Sequence, residues 1–236
     1  MTSTEVPAPP GPPDPPGPPS VAWPKSALLP LLLMTLGLRV LGVFLAGRAL
    51  PFLVPFLIMN GALLVALVGI AWRLRLGPAA FGLGRVSGSA VALGLLAGLL
   101  AQPVFALVAA GVRQLLGLDV TNPQVEQLFA DAGESMALLG LIAVVGGLTP
   151  FVEELLFRGA LLPATASWYG PTTAIVATSV VFGYGHSDPG SMVGAGLLGF
   201  VAALIRLRVG SLWPAIAMHV SFNLTAIALT MMARAG

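Results

Sequence analysis

Long stretches without a charged side chain fix what this chain can become. Residues 50–72 and 89–112 contain no Asp, Glu, Lys or Arg, and each is about the twenty residues a helix needs to cross a hydrocarbon core of about 30 Å. Further apolar windows cover 27–47, interrupted by Arg39, and 136–166, 172–185, 192–205 and 212–232. Only 8% of the 236 residues are charged and 57% are hydrophobic, whereas soluble domains carry about 25% charged residues. Inside lipid every backbone amide must be satisfied within the protein, so such windows fold as helices. The expected fold is an all-α polytopic transmembrane helix bundle of about seven spans. Six to eight are compatible, because the fourth window could be divided.

The flanks set the organisation. Residues 1–24 hold ten prolines and no apolar core, which predicts an extended or disordered tail outside the fold. Residues 25–112 read as N-terminal membrane helices and 113–135 as an acidic loop with a short interfacial helix. A second membrane domain occupies 136–232. Gly146, Gly147 and Pro150 predict a bend or break in the fourth window. Gly190, Gly194, Ala195 and Gly199 have the small-residue spacing of close helix packing. If every span crosses once, Lys25, Arg73, Arg75, Arg85, Arg206 and Arg208 fall on one side, and Arg48, Arg113 and Arg234 on the other. The positive-inside rule then puts the N-terminus in the cytoplasm. The composition suits a multi-pass protein of a bacterial plasma membrane. Cysteine is absent, which excludes disulfides and thiolate chemistry, and no basic run points to nucleic acid.

Against this background the pair Glu153–Glu154, in FVEELLFRG, stands out. An acidic residue near a helix centre costs roughly 2.5–3.5 kcal/mol on insertion scales. Three i,i+4 pairings organise the polar residues of the apolar C-terminal part. Glu154 and Arg158 share a helix face, so that carboxylate has a local cation. Glu153 is rotated by about 100° and points away from it. His219 and Asn223 share another face, and Phe182 precedes His186 by the same interval. Taken singly, each polar group is commonly an interhelical hydrogen-bond partner. Together they favour a site.

A carboxylate in a cavity of low polarity is suited to act as general base toward water, with imidazole and carboxamide groups to polarise water or hold an oxyanion. That is a hydrolase without a protein nucleophile. HExxH, GxSG and GxGD elements are missing, Asp188 has no second membrane aspartate, and no phosphate or dinucleotide fingerprint occurs. Two other classes stay open: a non-catalytic membrane binding or immunity-type factor using the same cavity, and a proton-coupled transporter, disfavoured by the lack of an internal repeat.

The ordered set Glu153-Glu154-xxx-Arg158, Phe182-xxx-His186 and His219-xxx-Asn223 resembles the three motifs of the CAAX-processing and bacteriocin-processing (CPBP, or Abi) membrane proteases, which include the type II CAAX prenyl endopeptidases. EELLFRGALLPAT and RVGSLWPAIAMHVSFN are similar to that family's surroundings, and the resemblance covers about residues 136–226. It implies an intramembrane endopeptidase acting on a membrane-associated peptide or protein. Glu153 would work with His186 to activate water, and His219 with Asn223 would stabilise the oxyanion. Glu154 and Arg158 would orient the first glutamate or secure the helix, with Phe182 in support. Zinc on Glu153, His186 and His219 is the alternative, and a metal-free, cofactor-free site is favoured because the usual ligand spacing is missing. For His186 to reach Glu153, GYGHSDPGS must be broken or re-entrant and line a cavity.

Overall fold

The computed structural model describes residues 23–46, 48, 50–51, 53–121, 125–126, 129–130 and 135–235. The long apolar windows fold as helices: α1 (Leu28–Ala46), α2 (Leu53–Arg73) and α3 (Gly88–Leu115) come first. Next comes a composite rod, built from α4 (Ser135–Leu141), a first π-helical segment (Ile142–Leu148), α5 (Thr149–Glu154), a second π-helical segment (Leu155–Leu161) and α6 (Leu162–Tyr184). The bundle closes with α7 (Pro189–Val209) and α8 (Trp213–Ala235). No β-strand occurs among the described residues.

Among the described residues six helices are long and apolar enough to cross a membrane, counting Ala137–Tyr184 as one. That rod is broken at Gly170 (φ 79°, ψ 166°), a conformation that side chains rarely tolerate, and Pro171 comes directly after it. Dividing it there gives seven apolar helical limbs. The expected break at Gly146, Gly147 and Pro150 takes another form. The helix continues through them but widens into the first π segment. The acidic loop lies partly outside the described residues; 125–126 and 129–130 are helical, and α3 continues through Arg113 to Leu115.

The two charge-bearing ends assemble separately. At one end the Trp168 indole N–H donates to the Lys25 carbonyl (3.0 Å), and the Arg206 guanidinium packs against Gly82. At the other, Arg234 pairs with Glu126 (3.0 Å) and Arg113 pairs with Asp188. The tail expected at 1–24 lies outside the described residues up to residue 22, but its last part is packed. Trp23 is buried edge-on against Phe81, and its indole donates to the Ala80 carbonyl at 3.0 Å.

The core lies around the composite rod, where Val152, Leu156, Leu161, Phe182, Leu198 and Met218 are buried together. Apolar side chains such as Leu29, Val40, Val65 and Leu107 cover the outside, as a lipid-facing surface requires. Close helix approach depends on small residues. On α3, a Cβ at Gly94 would collide with the Pro214 carbonyl and one at Gly98 with the Met218 carbonyl, so α3 and α8 meet backbone to backbone. Gly190 sits against the Ala109 carbonyl in the same way. Gly199, expected as a packing glycine, does more: a Cβ there would lie 2.7 Å from Arg158 Nη2. Gly98→Ala is therefore expected to destabilise the bundle by about 1–3 kcal/mol, whereas Gly37→Ala, with nothing within 4 Å of the added methyl, stays within about 0.5 kcal/mol. Thermal unfolding in detergent micelles measures both, and equal melting of the two variants contradicts the tight α3–α8 seam.

Candidate active site

The glutamate pair stands on α5, a single α-helical stretch between the two π segments. Each π segment adds residues to the turn and rotates the helix beyond it, and such insertions are frequent at functional sites. Adjacent helical residues point about 100° apart, and here that rotation divides two environments. Glu154 is completely buried, while the Glu153 side chain keeps 27% of its exposure. Glu153 lines a cavity of about 500 Å³ between α1, α2, α5 and the turn after α6.

Inside, the Glu154 carboxylate has two partners on one oxygen. Arg158 Nη1 donates to Oε1 at 3.0 Å, and His219 Nδ1 lies 3.0 Å from the same atom. An ionised carboxylate only accepts, so Nδ1 carries the proton in this contact. Glu154 Oε2 and Arg158 Nε have no hydrogen-bond partner among the described residues, so the ion pair is single-pointed rather than bidentate. Aromatic faces complete the enclosure of Arg158. Its guanidinium lies 4.5 Å from the Phe182 ring centroid and 5.7 Å from that of Phe157. The Phe182 ring also meets His186 (5.4 Å) and His219 (5.7 Å) edge-on. Phe182 is thus the common wall between the cation and both imidazoles.

The other imidazole nitrogen of His219 faces the exposed glutamate, with Nε2 3.7 Å from Glu153 Oε2. His219 therefore bridges the pair. This differs from the expected partnership of Glu153 with His186, because no contact joins those two among the described residues. His186 stands on the turn after α6, where its Nδ1 lies 3.2 Å from the Phe182 carbonyl, which also accepts from the Gly185 amide at 3.1 Å. His219 instead projects from α8, packed directly across α5. Gly185 and Ser187, on either side of His186, do line the same cavity as Glu153. The segment is a turn between α6 and α7. Asn223, one turn beyond His219, donates to the Val145 carbonyl at 2.9 Å, an oxygen within the first π segment. Glu153, His186 and His219 are not gathered as metal ligands, and no group of three His, Cys, Asp or Glu side chains that could hold a metal occurs among the described residues.

Sequence reasoning misses the parts played by three further residues. Asp188 caps α7 by accepting from the Ser191 amide (2.8 Å) and is buried against Arg113, which ties the His186 turn to α3. The Asp-Pro pair at 188–189 is the sequence signal for that cap. Asn60, in an otherwise apolar span, donates to Thr149 Oγ1 (2.9 Å) on the cavity wall.

Residues 135–225 match the family described as Type II CAAX prenyl endopeptidase Rce1-like. No curated protein and no solved structure matches the chain. The buried pair makes a stability prediction of its own. Arg158→Met strands an uncompensated carboxylate and is expected to cost about 3–5 kcal/mol, and Glu154→Gln with Arg158→Met recovers much of that loss. Unfolding in detergent micelles compares them; a single variant as stable as the double would contradict the pairing.

Proposed function

We propose, from the match of residues 135–225 to the type II CAAX prenyl endopeptidase Rce1-like family, that this chain is an intramembrane endopeptidase whose base is Glu153. The observation that carries the reading is the division of the glutamate pair. Glu153 alone faces the cavity, while Glu154 is buried and bound to Arg158 and His219. In the reaction Glu153 takes a proton from water, the hydroxide attacks the peptide carbonyl, and the tetrahedral oxyanion forms. The proton then passes to the departing amine as the C–N bond breaks. His219 serves at Nε2, beside Glu153, and its ring is fixed through Nδ1 by Glu154, much as carboxylates orient catalytic imidazoles elsewhere.

His186 and Asn223 border the reaction from the turn and from α8. They are the candidate groups for polarising the carbonyl once a peptide displaces Asn223 from the Val145 carbonyl. No metal is assigned to the site, and no step is routed through one. The substrate is a membrane-associated peptide or protein.

Purified protein with candidate peptides tests this. Glu153→Gln should lower cleavage by about 10²–10⁴-fold while the protein still folds, since that side chain is partly exposed. Cleavage retained in Glu153→Gln sinks the general-base role, and a cellular phenotype unaffected by that change favours a binding factor. The arginine-rich end with Lys25, Arg73, Arg75 and Arg85 is assigned to the cytoplasm by the positive-inside rule. In this cysteine-free chain, Arg234→Cys should react with an impermeant maleimide in intact cells and Arg85→Cys should not; the reverse pattern overturns the orientation.

A further inference from the structure

Two charged side chains line the 500 Å³ cavity: Glu153 from α5 and Arg39 from α1. Arg39 interrupts an apolar window near the middle of a span, where a cation is costly and marks function more often than packing. It forms no ion pair among the described residues. Nη1 donates to the Gly185 carbonyl at 2.8 Å, and the guanidinium lies 5.3 Å from the Tyr184 ring centroid. One carbonyl takes one of five N–H donors, and the planar fork retains the arrangement that receives a carboxylate through two parallel bonds. Two polar groups nearby already have partners: Asn60 donates to the Phe56 carbonyl (2.8 Å) and to Thr149, and Thr35 donates to the Leu31 carbonyl (2.8 Å). Leu38, Met59, Leu63 and Leu156 make much of the remaining wall apolar.

We propose that Arg39 is a carboxylate-binding subsite, which holds an anionic group of an apolar peptide within a few residues of the bond presented to Glu153. This rests on the endopeptidase reading of the cavity and adds a substrate feature to it. The opposite charges share one cavity without pairing. A peptide carboxylate at Arg39 would neutralise the cation and keep itself away from Glu153, so the bound chain has one direction. Two sources supply the same chemistry, a free C-terminus and an internal Asp or Glu.

The test uses apolar decapeptides made as free acids and as carboxamides, each with and without one internal Glu, presented to the full chain in detergent micelles. The wild-type protein should cleave carboxylate-bearing peptides with kcat/KM about tenfold or more above uncharged ones. Comparing the free acids lacking Glu with the Glu-containing carboxamides identifies the source. Arg39→Gln should bring that ratio close to one, and Arg39→Lys, which keeps the charge without the fork, should give an intermediate ratio. A ratio that survives Arg39→Gln overturns the subsite. So does an equal loss across all peptides, which is what a purely structural bond to Gly185 predicts. If the wild-type protein cleaves none, the endopeptidase reading fails, and binding to the Glu153→Gln protein decides the subsite. Retention of acids over carboxamides, erased by adding Arg39→Gln, supports it, and equal retention overturns it.

Discussion

The contact on which the centre of this molecule depends is the buried triad of Glu154, Arg158 and His219. A charge removed from water is tolerated only when partners replace its hydration. Here one carboxylate oxygen receives both a guanidinium and an imidazole N–H at 3.0 Å, and two aromatic faces enclose the cation. The surrounding packing serves that arrangement. Gly199 lacks the side chain that would collide with Arg158. Gly94 and Gly98 bring α8 close enough to α3 for His219 to stand across from α5. The second π segment contains Arg158 itself and keeps it one turn from Glu154 despite the widened helix.

Much of the scaffold is legible in the sequence because the bilayer imposes a simple rule: charge-free windows of about twenty residues become helices. The break before residue 172 is legible for a local reason, since Gly170 and Pro171 remove both the steric and the hydrogen-bonding basis of a continuous helix. The π segments are not legible. One extra residue per turn leaves no mark in composition, and Gly146, Gly147 and Pro150 suggest a break where the structure instead widens the helix. Trp23 is not legible either, since proline-rich surroundings hide a ring that has its own buried acceptor.

The site is partly legible, and the division tracks sequence distance. Glu154 with Arg158 is an i,i+4 contact, which helix geometry alone supplies. The joining of His219 to both glutamates spans more than sixty positions and depends on which face of α8 meets α5, something a single span's pattern does not encode. His186 and Arg39 share this difficulty. Periodicity places each on an element, and only the packing of α1 against the turn after α6 brings Arg39 to the Gly185 carbonyl beside His186.

The adjacency of the two acids then has a physical account. Two carboxylates on one helix turn would repel if both faced the same space, but successive residues diverge by about 100°. One side of α5 faces the buried Arg158 and His219 and the other faces the cavity. The buried acid is offset by fixed partners, which makes it rigid and holds the His219 ring in one orientation. Among the described residues the cavity-facing acid has only that ring's far nitrogen at 3.7 Å, a separation too long for a good hydrogen bond. Its oxygens therefore remain available to a reacting molecule. Rigidity in one glutamate and availability in the other are properties of the same short helix, and neither would hold if the pair were separated by a full turn and shared a face.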